Sequence, residues 1–143
     1  MSMRKMCREL SVLFCIAVFF LCGCQVAEGG RLPKGFDEQQ VREKAELAVN
    51  WFNEQEYEKI IGAGSVELKE LYSEEDIAEE GTDRLKKCGA FREIEKTAVI
   101  SETSYKSGEG YGGLVLIGAY ENGKIEFRIL FDEEMNIVQF LLR

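Results

Sequence analysis

The sequence contains no histidine. That absence removes the side chain whose ordinary pKa lies nearest neutrality. Ser-His-Asp and Cys-His nucleophile systems cannot be built from this chain, and neither can histidine-containing metal sites. Proline occurs once, at Pro33. There is no internal repeat, no low-complexity tract and no D-x-D-x-D-G calcium loop. No apolar run reaches the ~20 residues that a membrane-spanning helix needs. The run from Leu10 to Cys22 has 13 residues and is broken only by Ser11.

What is present begins with Arg4, Lys5 and Arg8, a positive start offset by Glu9. A positive start followed by a short apolar run is the layout of a secretory signal. The run closes on Leu21-Cys22-Gly23-Cys24, which resembles the bacterial lipobox. That resemblance implies cleavage before Cys24 and a diacylglyceryl group on its sulfur. Two acyl chains are what stable anchoring takes, at ~0.8 kcal/mol per buried CH₂. An uncleaved anchor from Leu10 to Ala27 is one alternative. A C-x-C metal or redox site is another, though nothing nearby supplies further ligands. Residues 1–23 are thus expected to be a signal, and Cys7, Cys15 and Cys22 leave with it. Cys88 then stays alone, so the mature domain has no internal disulfide. It reads as a small apolar residue near a helix end, with a reactive thiol as the other reading.

Residues 24–36 are expected to be the lipid anchor and a flexible tether, since Gly29, Gly30, Pro33 and Gly35 punctuate them. A flexible stretch of that length reaches about 20 Å. Loss of residues 1–23 removes three basic residues and one acid from totals of 18 and 26, leaving 15 and 25, a net charge of −10. That sign disfavours nucleic acid and anionic lipid headgroups as partners. It suits a solvated surface, or an acidic patch for a cationic partner.

Residues 37–143 read as one domain. Asp37 is placed to N-cap a helix reaching about Glu54, with Val41, Ala45, Ala48 and Phe52 as its apolar stripe. Val49 lies on one flank and Leu47 and Trp51 on the other, so the helix is expected to be covered from more than one side. A short helix from Tyr57 to Ile61 stops at Gly62-Ala63-Gly64, and Ser65 caps another turn. Ser73-Glu74-Glu75-Asp76 has the capping-box pattern. The helix it starts ends at Lys86, Lys87 and Gly89.

From Phe91 the period changes to that of strands, about Arg92–Glu102, Tyr111–Glu121 and Ile137–Leu142, with a further strand after Asn122-Gly123. Asn-Gly is a strong type I′ hairpin signal. It sets the expected pairs Tyr120/Ile125, Gly118/Phe127, Leu116/Ile129 and Leu114/Phe131 on one apolar face. Gly112-Gly113 and Gly118 suggest bends. Helices followed by strands give an α+β fold, with N-terminal helices on one face of a curved antiparallel sheet of about four strands.

The stretches ELAVNWFNEQEYEKI (46–60), FREIEK (91–96) and GKIEFRILFDEEMNIVQFLLR (123–143) resemble a bacterial family, domain of unknown function 3887. That family is similar to the nuclear transport factor 2-like, cystatin-like superfamily. The resemblance implies a cone, with a long helix held in a curved sheet, and it brings no catalytic residues. The turn Asp132–Asn136 lacks the glycine common there, and a looser turn is expected.

Trp51, Phe52, Tyr120 and Phe127 are the candidate lining of an apolar pocket, with core filling as the plainer reading. The acids Glu67, Glu70, Glu74, Glu75, Asp76, Glu79, Glu80 and Asp83 read as a solvated helical surface rather than a calcium site. No metal and no cofactor are expected. The resulting expectation is a non-catalytic lipoprotein outside the plasma membrane, binding a small apolar ligand or a protein. Two alternatives stay open. One is an enzyme using a buried carboxylate and one of the five tyrosines. The other is a dimerisation or scaffold domain, a homodimer forming through the sheet.

Overall fold

A computed structural model describes residues 30–143. The expected signal and Cys24 lie outside the described residues. Helices come first: α1 (Glu38–Asn53), α2 (Tyr57–Gly62), α3 (Val66–Leu71) and α4 (Glu74–Cys88). Strands β1 (Phe91–Thr103), β2 (Gly110–Tyr120), β3 (Gly123–Phe131) and β4 (Ile137–Leu142) then form one antiparallel meander in the order β1-β2-β3-β4.

Three of the four helices start where a cap residue directs, and α2 starts without a side-chain cap. The Asp37 carboxylate accepts from the Gln40 amide at 3.0 Å, and the Ser65 hydroxyl accepts from Leu68 at 3.1 Å. Ser73 and Asp76 form the reciprocal capping box, in which the Ser73 amide donates to Asp76 Oδ2 at 2.7 Å. These bonds satisfy backbone N–H groups that a helix start leaves without partners. Helix α4 ends at Gly89, whose φ of 75° is left-handed and suits glycine.

The α1 stripe fills the inner face of the sheet. Val41, Ala45, Ala48, Val49 and Phe52 are fully buried, as are Leu114, Leu116, Phe127 and Ile129 opposite them. Each large side chain so buried contributes ~1.5–3 kcal/mol. Phe52 meets Phe127 edge-on at 5.1 Å and Tyr57 at 5.9 Å. Such aromatic pairs add ~0.5–1.5 kcal/mol beyond area. Gly81 lets α4 approach closely, because a Cβ there would lie 2.7 Å from the Phe52 ring. Two bulges in β1, between Phe91 and Glu93 and between Ile94 and Lys96, bend the sheet around α1.

The hairpin register differs from the expected one by two residues. Tyr120 faces Gly123, Gly118 faces Ile125, Leu116 faces Phe127 and Leu114 faces Ile129. The loop residues are Glu121-Asn122, and none of Glu121, Asn122 and Gly123 adopts the positive φ a type I′ turn requires. Contact with α4 overrides the local preference. The Asn122 amide donates to the Cys88 carbonyl at 2.8 Å, and the Glu121 amide to the Ala90 carbonyl at 2.8 Å. A slip of two preserves side-chain parity, so the apolar set still faces α1.

The β3–β4 turn is tight, not loose. Met135 takes the left-handed position, φ 64°, that a glycine would fill. Asp132 holds the turn by accepting from the Asn136 amide at 2.8 Å and from its side chain at 3.2 Å. The described part of the expected tether is also packed rather than free. The Gly30 amide donates to the Val99 carbonyl at 2.7 Å, and Leu32 and Phe36 pack against the core. Leu32, Pro33 and Phe36 lie over Gly112, where a Cβ would sit within about 3 Å of each.

Two glycines separate contact from flexibility. A Cβ on Gly113 would fall 1.8 Å from the Ile129 carbonyl oxygen, whereas one on Gly62 meets nothing within 4 Å. Gly113→Ala should therefore lower stability by ~3 kcal/mol or more, as severe overpacking does. Gly62→Ala should raise it by ~0.5–1 kcal/mol. Urea unfolding of the two variants checks both; an unchanged midpoint for Gly113→Ala would mean that β2 and β3 do not approach this closely.

Candidate functional site

The meander sends its two kinds of connection to opposite ends. The strap at residues 30–36 and the β1–β2 loop lie at one end, and the Glu121-Asn122 turn at the other. At the hairpin end the C-termini of α1 and α4 splay over the sheet and leave a cavity of about 320 Å³. Asn53 and Gln55 line it from α1 and the turn after it. Thr82, Leu85 and Lys86 line it from α4. Gly89, Ala90 and Phe91 form the wall toward β1, and Tyr120 comes from β2.

The polar centre is a side-chain pair. The Tyr120 hydroxyl donates to Asn53 Oδ1, and the ring of Tyr120 meets Phe91 edge-on at 5.3 Å. Asn53 Nδ2 is sealed from solvent and has no acceptor. An unmet buried N–H₂ costs ~1–3 kcal/mol. Thr82 Oγ1 lies 3.4 Å from the Tyr57 hydroxyl, which ties the α4 wall to the core. Burial pushes the Tyr120 phenol well above its ordinary 10.0; the nearby Cys88 adds to the rise, while the Asn53 bond acts the other way. Tyr120 is therefore a neutral hydroxyl at physiological pH.

The four residues of the expected pocket do not converge. Phe52 and Phe127 are fully buried against one another and fill the interior. Tyr120 lines the hairpin-end cavity, and Trp51 lines a separate hollow of about 70 Å³ with Lys44, Leu47, Phe131 and Met135. That hollow holds little more than two waters. A third hollow, about 170 Å³ between α4 and β4, contains Asp76 and Glu80. Asp76 is committed there to Ser73, whose amide and then hydroxyl hold its carboxyl below the ordinary 3.8.

Asn53, Gln55, Thr82 and Lys86 escape a reading by apolar period. Asn53 follows the last stripe residue of α1, and Lys86 reads only as a helix stop. The available signal is the pair of tight ends, Asn53 and Gly89, which the register of the hairpin brings to Tyr120. The dense acids lie largely on the outer face of α4, where Glu80 pairs with Arg84 and Asp83 with Lys87, each at 2.8 Å. Among the described residues no group of three or more acids and cysteines is placed to hold a metal ion.

The profile of a family described as protein of unknown function, DUF3887, matches residues 45–140. The chain belongs to the DUF3887 family. Every residue lining the hairpin-end cavity falls inside that match. The DUF3887 chain is also similar to a solved structure, an NMR structure of a protein from Ruminococcus gnavus ATCC 29149. The two are 28% identical over 78% of this chain and 95% of the other, with a TM-score of 0.68. No curated protein matches this DUF3887 chain significantly.

The Tyr120 environment makes a signed prediction. The unfolded chain releases the phenol proton near pH 10.0 while the folded chain retains it. The stabilisation is complete below pH 10 and falls above it, by at most ~1.4 kcal/mol per pH unit. Tyr120→Phe should remove that slope and, by leaving Asn53 without its donor, cost ~1–3 kcal/mol at neutral pH. Chemical unfolding of both proteins from pH 7 to 11 measures the difference; parallel curves would refute the buried phenol.

Proposed function

We propose that this protein is an extracytoplasmic lipoprotein, held on the outer face of the bacterial plasma membrane through lipidated Cys24. Its domain binds a small ligand without transforming it. The observation that carries the binding reading is the composition of the hairpin-end cavity: carboxamide, hydroxyl, ammonium and aromatic groups, with no carboxylate. General-base chemistry near neutrality draws mostly on imidazole or a tuned carboxylate. The chain has no histidine, and among the described residues the buried polar residue of the core is Ser65, which caps α3. Tyr120 is matched to an amide rather than an acid.

The anchoring half rests on Leu21-Cys22-Gly23-Cys24. No helix among the described residues is long and apolar enough to cross a membrane. With residues 30–36 packed, only the stretch from Cys24 to Gly30 separates lipid from domain, at most about 20 Å when extended. Strand β2, at ~3.3 Å per residue, spans roughly 30 Å from the strap end to Tyr120. In this arrangement the cavity faces away from the bilayer.

Mass spectrometry of the native protein should find a chain starting at residue 24 with a diacylated cysteine. Cys24→Ser should move the protein out of the detergent-soluble membrane fraction. Native protein that keeps Met1 and carries no acyl chain would end the anchoring proposal.

A further inference from the structure

We propose that the open edge of β4 docks an extended, Lys- or Arg-bearing segment of a partner protein, which adds to the sheet beside β4 and seats an apolar side chain against Tyr72 and Ile77. The site is separate from the hairpin-end cavity and stands whether or not that cavity takes a ligand.

The backbone comes first. The meander order leaves β4 with one neighbouring strand, β3. Arg143 and Glu126 exchange two backbone hydrogen bonds at 2.9 Å each. Such pairs recur at every second residue of an antiparallel ladder, so Leu141 and Gln139 also turn their N–H and C=O groups to β3, toward Arg128 and Leu130. The groups of Phe140 and Leu142 therefore point outward. Ile137 is covered on that side, donating to the Ala63 carbonyl at 2.9 Å and accepting from the Ser65 amide at 2.8 Å. Among the described residues no backbone hydrogen bond reaches the outward groups of Phe140 or Leu142. A bare row of this kind is the template on which an extended peptide adds a strand.

The surroundings select the side chains. Helix α3 leaves Ser65, beside Ile137, and ends at Tyr72, which lines the 170 Å³ hollow with Ile77 and Phe140. At ~30 Å³ per water that hollow holds roughly six water-sized units, room for one apolar side chain. Large apolar residues are bare along α3: Leu71 is 74% exposed and Val66 68%. Residues 66–80 contain seven acids and one base, a net of −6 against −8 for the whole chain. Of these acids only Glu80 makes an ion pair among the described residues, with Arg84. A second copy pairing edge to edge would set these acids against their own kind, whereas a basic segment meets them with opposite charge. The bare edge sets the partner's backbone, and the acids set its sign.

The probes are acetyl-Thr-Lys-Val-Arg-Val-Lys-Thr-amide and its charge-reversed form, with Glu and Asp in place of Lys and Arg. Each is titrated to millimolar concentration against the full-length, isotope-labelled protein in uncharged micelles, following amide resonances and hydrogen exchange. The basic peptide should shift Tyr72, Ile77, Phe140 and Leu142, and bind about tenfold tighter than the acidic one. At nine-tenths occupancy the Phe140 and Leu142 amides should exchange about tenfold more slowly, because only the free fraction exchanges. The Leu141 amide, already bonded to β3, should not change. Glu70→Lys with Glu74→Lys, both at exposed positions, should reverse the preference between the peptides. Equal binding of the two, binding that leaves the Phe140 and Leu142 amides unprotected, or no shift with either would overturn the proposal. So would a dimer in sedimentation with both amides protected before peptide is added, which gives the edge to a second copy. None of these outcomes bears on the hairpin-end cavity.

Discussion

Two backbone hydrogen bonds at the hairpin tip organise the cavity end of the molecule. The Glu121 and Asn122 amides reach the Ala90 and Cys88 carbonyls, at 2.8 Å each. They give the end of α4 a partner for a carbonyl that a helix terminus leaves exposed. They also fix which residues of β2 and β3 oppose one another. With that register, Tyr120 stands beside Asn53 and closes one side of the cavity. Had the Asn122-Gly123 turn prevailed, Tyr120 would have faced Ile125 instead. The tip would have been free of α4, and the wall from Gly89 to Phe91 would have lost its support.

The legible and illegible parts of the fold divide along the range of the interactions concerned. Caps are local: Asp37, Ser65 and Ser73 each bond to an amide three residues on, and all three helix starts follow from sequence. Strand parity is also local, because inward positions repeat every second residue. Parity cannot register a slip of two, so the apolar faces of β2 and β3 are readable while their partners are not. The partner choice depends on α4, more than thirty residues earlier in the chain at its start. The strap fails for the same reason. Gly29, Gly30, Pro33 and Gly35 suggest a linker, but Gly112 in β2 offers a trough that Leu32, Pro33 and Phe36 fill.

The candidate site was less readable than the fold. A pocket inferred from aromatic residues favours those with the largest apolar area, and these are the residues most strongly drawn into the core. Phe52 and Phe127 went there. The cavity instead collects polar residues from element ends, where helices stop covering the sheet. Such positions have no period, since their side chains answer neither to helix nor to strand repetition. Met135 makes a related point. Its left-handed φ is held by Asp132 bonds to Asn136, so a turn signature was satisfied by side-chain hydrogen bonding where glycine was absent.

Net charge and local charge then act at different scales. A charge of −8 on the chain repels anions at long range, but at physiological salt that field is screened within about 8 Å. Inside the hairpin-end cavity, lined by Lys86 and without a carboxylate, the nearest groups set the local potential. Long-range repulsion slows the approach of an anion, and short-range donors decide whether it stays. An acidic chain can therefore carry a hollow without a carboxylate in its lining, because its acids sit on other faces. Two of them, Glu80 and Asp83, are paired along α4 with Arg84 and Lys87, so the nearest acids on that helix spend their charge on its own surface.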